Sequence, residues 1–153
     1  MPQIVLVYPQ IPPNTGNIAR TCAATQTPLH VVGPIGFDIS DRAVKRAGLD
    51  YWPYVDYRYH ESFEAFQAVR KQCGGRQFGF SKAGQCNYLD LQFQPDDWLL
   101  FGSETDGLPE SVLAECDEVA YIPMPHGKVR SLNLSVSAAL GLYEALRQLG
   151  QLT

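Results

Sequence analysis

Three short stretches of this chain concentrate residue types that can do chemistry. Asn14, Asn17 and Arg20 lie in N-T-G-N-I-A-R, Glu104 stands between two glycines in G-S-E-T-D-G-L-P, and Ser131 and Asn133 lie in R-S-L-N-L-S. An arginine, a carboxylate, amides and hydroxyls can bind a polar ligand, orient a hydroxyl group or stabilise developing negative charge. The chemistry is not that of a phosphate-cradling loop, since neither G-x-G-x-x-G nor G-x-x-x-x-G-K-[ST] occurs. Ser131 and Ser135 lack a G-x-S-x-G elbow, which removes support for a hydrolase triad. His30, His60 and His126 are too far apart in sequence to suggest zinc, and no metal is expected. Each candidate also has a bland reading. Asn14 or Thr15 can cap a helix, Arg20 can be a solvated surface residue, and Glu104 with Asp106 can form a solvated turn. The Ser131-x-Asn133 pair can simply begin a helix. Spacing alone reaches a ligand-binding domain and stops there.

The elements that must position these residues alternate along the chain. Short apolar runs bounded by Pro, Gly or polar residues predict strands over 3–8, 29–32, 54–59, 76–81, 97–101 and 118–122. Helical patterns fall between them. One follows Pro12-Pro13 and turns Ile18, Ala19, Cys22 and Ala23 to one face. Another starts at Ser40 or Asp41, a third runs over 61–72 and ends at Gly74-Gly75, and a short one follows Pro109. The last runs to Leu149. Residues 87–95 read either as a short helix or as an irregular crossing. Alternating strands and helices predict an α/β domain over 1–153, a parallel sheet with helices on both faces. Ligands in such sheets bind outside the carboxyl ends of strands, where residues 81–84, 102–109 and 123–133 fall. The last of these loops is longer than strand-to-helix connections usually are, which marks it as the site.

Composition narrows the partners. Twelve cations against sixteen carboxylates give a net charge of −4, so a sequence-independent DNA coat is not expected. A local basic patch is still available. Arg42, Lys45 and Arg46 share one helical face, and the aromatic-rich D-Y-W-P-Y-V-D-Y-R-Y-H follows, a combination suited to RNA phosphates and unstacked bases. No apolar run approaches the roughly 20 residues of a membrane span, and the N-terminus lacks the charged region of a signal peptide. Four scattered cysteines without a C-x-x-C pair fit reduced thiols in a cytoplasmic protein.

The combination N-T-G-N-I-A-R at 14–20, L-L-F-G-S-E-T-D-G-L-P at 99–109 and I-P-M-P…R-S-L-N-L-S-V-S at 122–137 resembles the three motifs of the SPOUT superfamily of RNA methyltransferases, in order and spacing over nearly the whole chain. The lack of an appended RNA-binding domain and R-A-G-L-D-Y-W at 46–52 resemble its branch acting on the tRNA wobble position. The resemblance implies a C-terminal deep trefoil knot, a homodimer, S-adenosylmethionine as methyl donor, and the 2′-hydroxyl of tRNA nucleotide 34 as acceptor, with leucine isoacceptors as substrates. It implies cofactor contacts from backbone at Phe80, Gly102, Ile122, Ser131 and Leu132. Arg20 matches the family's proposed base, although a guanidinium resists deprotonation; phosphate assistance or electrostatic stabilisation of the alkoxide by Arg20 are equally open. Asn14, Glu104, Ser131 and Asn133 match the other catalytic positions. Arg42, Lys45, Arg46 and Arg130 are expected on tRNA phosphates. Action on another RNA position, or a catalytically idle RNA-binding module, are the alternatives.

Overall fold

A computed structural model describes residues 1–38 and 51–153. Arg42, Lys45, Arg46 and the helix expected from Ser40 or Asp41 lie outside the described residues.

Among the described residues seven strands form one parallel sheet: β1 (Gln3–Val7), β2 (Leu29–Val32), β3 (Tyr57–His60), β4 (Gln77–Phe80), β5 (Cys86–Asn87), β6 (Trp98–Phe101) and β7 (Glu118–Tyr121). Their order is β3-β2-β1-β6-β4-β7-β5, and every pairing is parallel. The described helices are α1 (Pro12–Thr25), α2 (Phe63–Cys73), α3 (Glu110–Leu113) and α4 (Leu134–Gln148). Side chains alternate across a strand, so each apolar run supplies two cores. Ile4, Leu6, Leu99 and Phe101 pack on one face with Ile18 and Cys22 of α1 and Leu142 and Leu146 of α4. Val5, Val7, Trp98 and Leu100 pack on the other with Phe66 of α2 and Val112 of α3. Both faces are covered, which is why the strands read as continuous apolar runs.

Several expectations need correction. Asn14 and Thr15 do not cap α1: the cap position is Ile11, Pro12 and Pro13 open the first turn, and both polar residues are buried inside the helix. The strand expected over 54–59 is present but begins later, as β3 at Tyr57, because the Tyr54 and Val55 N–H groups are taken by the 3-10 turn Trp52–Tyr54. Residues 87–95 resolve into the end of β5, a 3-10 turn at Tyr88–Asp90 and an irregular segment.

A buried polar string crosses three strands. His30 Nε2 lies 2.7 Å from Gln3 Oε1 and His30 Nδ1 lies 2.9 Å from His60 Nε2. With Gln3 Oε1 as acceptor, His30 carries its proton on Nε2 and accepts from His60 Nε2–H. Burial first, then the neighbouring His60 and Arg58 charges, push the His30 pKa down to about 4, with Asp56 opposing; burial followed by Arg58 lowers that of His60.

Candidate active site

The strands β1, β4, β6 and β7 end on one side of the sheet, and the segments leaving them enclose a cavity of about 730 Å³. That volume suits a medium-sized organic ligand. Residues 80–83, 101–107 and 122–134 contribute to its wall, together with Ile11 and Asn14 of the segment after β1. The three loops expected to face a ligand therefore meet.

Each loop has a physical reason for its path. After β6 the chain reverses at once: Ser103 N–H donates to Gly107 O at 3.3 Å and Gly107 N–H to Ser103 O at 3.0 Å. Gly107 takes φ +69°, and a Cβ on Gly102 would stand 2.0 Å from the Gly107 carbonyl carbon, so this close reversal requires glycine at both positions. The turn lifts Glu104 toward α1. Its Oε1 accepts from Gln10 N–H and its Oε2 from Ile11 N–H, both at 2.8 Å, and Asn14 Nδ2 donates to Oε2 at 3.2 Å. Ile11 has no side chain with which to cap α1, and Glu104 supplies acceptors there from a distant loop. Gln10 returns the contact, its Oε1 accepting from Thr105 N–H at 3.2 Å.

The polar string continues into the third motif. Asn133 Nδ2 donates to Asn14 Oδ1 at 3.2 Å, while Asn133 Oδ1 accepts from Ser135 N–H at 2.8 Å and caps α4. The cap and site readings of Asn133 are thus both realised, by different ends of one amide. Lys82 Nζ donates to the Arg130 carbonyl at 2.7 Å and fastens the loop after β4 to the long final loop. The apolar side of the cavity includes Phe80 stacked on Phe101, centroids 4.6 Å apart.

Asn14, Glu104, Ser131 and Asn133 all line this cavity, as do Phe80, Gly102, Ile122, Leu132 and Arg130. Arg20 does not. It is exposed further along α1, its guanidinium carbon 4.7 Å from the centroid of the Tyr51 ring. Gln10 and Lys82 were not singled out by sequence. Lys82 sat in the expected S-K-A-G loop, whereas nothing local marks Gln10. Among the described residues no group of three or more His, Cys, Asp or Glu is arranged to hold a metal ion.

A shallower groove runs along the outer faces of α1 and α4. Asn17, Thr21, Val136, Leu140 and Tyr143 line it, and the last three remain 47%, 38% and 43% exposed.

The fit of the cavity can be judged from its donor set. An aromatic and aliphatic side suits a flat base, and the polar rim suits a ribose and an amino acid. No glycine-rich phosphate cradle is present, which accords with a ligand that carries no phosphate.

Comparison with known proteins places these features in context. The profile of the SpoU rRNA Methylase family matches residues 1–143. A Synechocystis sp. protein is 59% identical over 152 residues, 99% of each chain, and a Burkholderia ambifaria protein is 44% identical over 149 residues, 96% of this chain and 95% of that one. The names of both contain tRNA (cytidine(34)-2'-O)-methyltransferase. A solved structure described as "Structural insights into the 2-OH methylation of C/U34 on tRNA" is 51% identical with a TM-score of 0.93, covering 98% of this chain and 97% of that chain. An AdoMet-bound rRNA methyltransferase from Sinorhizobium meliloti is 27% identical with a TM-score of 0.89, covering 97% of this chain and 56% of the other.

Proposed function

The chain belongs to the SpoU rRNA methylase family, and on that footing we propose that it is an S-adenosylmethionine-dependent tRNA methyltransferase acting on the ribose 2′-hydroxyl of nucleotide 34, a cytidine or modified uridine. The observation that carries this reading is the cavity after β1, β4, β6 and β7, in which Phe80, Gly102, Ile122, Ser131 and Leu132 meet the Glu104–Asn14–Asn133 string. S-adenosylmethionine, when bound, supplies an electrophilic methyl group on a sulfonium. Phe80, Gly102, Ile122, Ser131 and Leu132 hold it, chiefly through backbone. Asn14, Glu104 and Asn133 fix the relative placement of α1, the β6 loop and α4, so that acceptor and donor meet in register. Arg20 acts at the acceptor, where a permanent cation stabilises the oxygen while its proton passes to a phosphate oxygen of the substrate. Arg42, Lys45, Arg46 and Arg130 bind tRNA phosphates.

Two further features belong to this reading. The segment leaving β7 returns toward the sheet centre to set α4 against α1, passing the loop after β4 at the Lys82–Arg130 contact; this path supports a C-terminal trefoil knot. The exposed apolar groove on α1 and α4 supports a homodimer through that face. Asn17 and Thr21 flank Arg20 in sequence on α1, so such pairing brings the subunit boundary close to Arg20. The four cysteines are free thiols, in keeping with work in the cytoplasm on tRNA.

The test is incubation with methyl-labelled S-adenosylmethionine and bulk tRNA, followed by mapping of 2′-O-methyl nucleotides. Label is expected at position 34, in leucine isoacceptors. Label in rRNA alone would overturn the reading, and no transfer would leave an RNA-binding module.

A further inference from the structure

We propose that Tyr51 is a positioning residue for Arg20, setting its guanidinium for the methyl-transfer step. This rests on the reading of Arg20 as the group at the acceptor.

Arg20 is exposed, which makes it hard to place. Its long side chain has many rotamers to give up, so an untethered Arg20 would spend little time in one place. The usual tether is a carboxylate, but a carboxylate occupies the guanidinium donors and offsets its charge. An aromatic face does neither. At 4.7 Å the Tyr51 ring attracts the cation through its quadrupole and leaves the N–H edge of Arg20 open to an oxygen. That is the requirement for a group that must meet a developing alkoxide or a phosphate.

The backbone that carries the ring is held in a turn. Tyr51 carbonyl accepts from Tyr54 N–H at 2.9 Å, closing the 3-10 turn. Trp52, which opens that turn, and Val55, which follows it, pack against the core shared by α1, and Trp52 meets Tyr57 with centroids 5.8 Å apart. Tyr51 is half-buried beside them while Arg20 is exposed. A half-buried ring on a hydrogen-bonded turn therefore faces an exposed cation. The attraction is to the ring, so the phenolic hydroxyl is dispensable.

The test compares steady-state and single-turnover methylation of tRNA by variants of the full chain. Tyr51→Phe is expected to keep kcat within about twofold, and Tyr51→Leu to lower it about fivefold with little change in KM for tRNA or S-adenosylmethionine. Pentafluorophenylalanine at position 51 keeps the ring shape but loses its negative face, and is expected to match Tyr51→Leu; this arm stands if the leucine variant folds poorly. In an Arg20→Ala background the loss of the ring is expected to cost nothing further. If Arg20→Ala retains full activity, the reading of Arg20 falls and this proposal with it. If Arg20→Ala is impaired but the fluorinated ring leaves kcat unchanged, this proposal alone falls. It also falls if Tyr51→Leu raises KM for tRNA, or costs as much without Arg20 as with it, because the ring would then be touching RNA itself.

Discussion

Glu104 shows how one carboxylate can serve structure and site together. It accepts from two backbone N–H groups ahead of α1 and from Asn14, so an isosteric amide would turn an NH₂ group toward donors. Glu104→Gln is expected to destabilise the protein by about 1–2 kcal/mol, less than a fully buried charged bond would cost because this one is partly exposed. Urea unfolding measures the loss, and calorimetry should show weaker S-adenosylmethionine binding in parallel. An unchanged unfolding midpoint would mean that the tie contributes nothing. At this scale the sequence was informative about residue types and poor on partners. Glu104 reads as a solvated turn residue because its partners, Gln10, Ile11 and Asn14, lie 94, 93 and 90 positions away. Asn14 looked like a cap for the same reason.

Among the elements, the strands were legible because short apolar runs buried on both faces leave few alternatives; β2 falls where its pattern puts it. The caps and 3-10 turns were less so, since Pro53 and residues 87–95 obey local geometry that periodicity does not encode. The Gln3–His30–His60 string, which joins β1, β2 and β3, could not be read at all, since three dispersed polar residues carry no pattern. It has a measurable consequence. The folded state holds His30 neutral, with a pKa near 4 against about 6.5 unfolded, so its contribution is complete above pH 6.5 and is lost as pH falls from 6.5 toward 4. The loss is on the order of 3 kcal/mol across that window. Urea midpoints at pH 7, 6, 5 and 4 should decline, and His30→Leu should flatten the decline. A flat profile in the unaltered protein would sink the assignment of neutral His30.

For the molecule as a whole, the parallel order β3-β2-β1-β6-β4-β7-β5 brings the first and last motifs of the chain to one end of the sheet. Repetition of strand and helix predicts a parallel sheet with covered faces, but not this order, which depends on long-range pairing that no local pattern specifies. The exposed groove on α1 and α4 is the feature that a second copy would cover. A Val136→Asp, Leu140→Asp variant is expected to sediment as a monomer and to lose tRNA methylation, with the far-ultraviolet spectrum unchanged. A dimer persisting in that variant would place the interface elsewhere. The Glu104–Asn14–Asn133 string also bears on how the chain holds together over time. Its two bonds bridge 90 and 119 positions, so the cavity exists only when the beginning, middle and end of the chain are docked at once. Occupancy of that cavity therefore reports that these three segments have docked. On the proposed reading S-adenosylmethionine would act as a buffer on the population of folded chains: a hundredfold excess over Kd would add about 2.7 kcal/mol, spread over the whole protein.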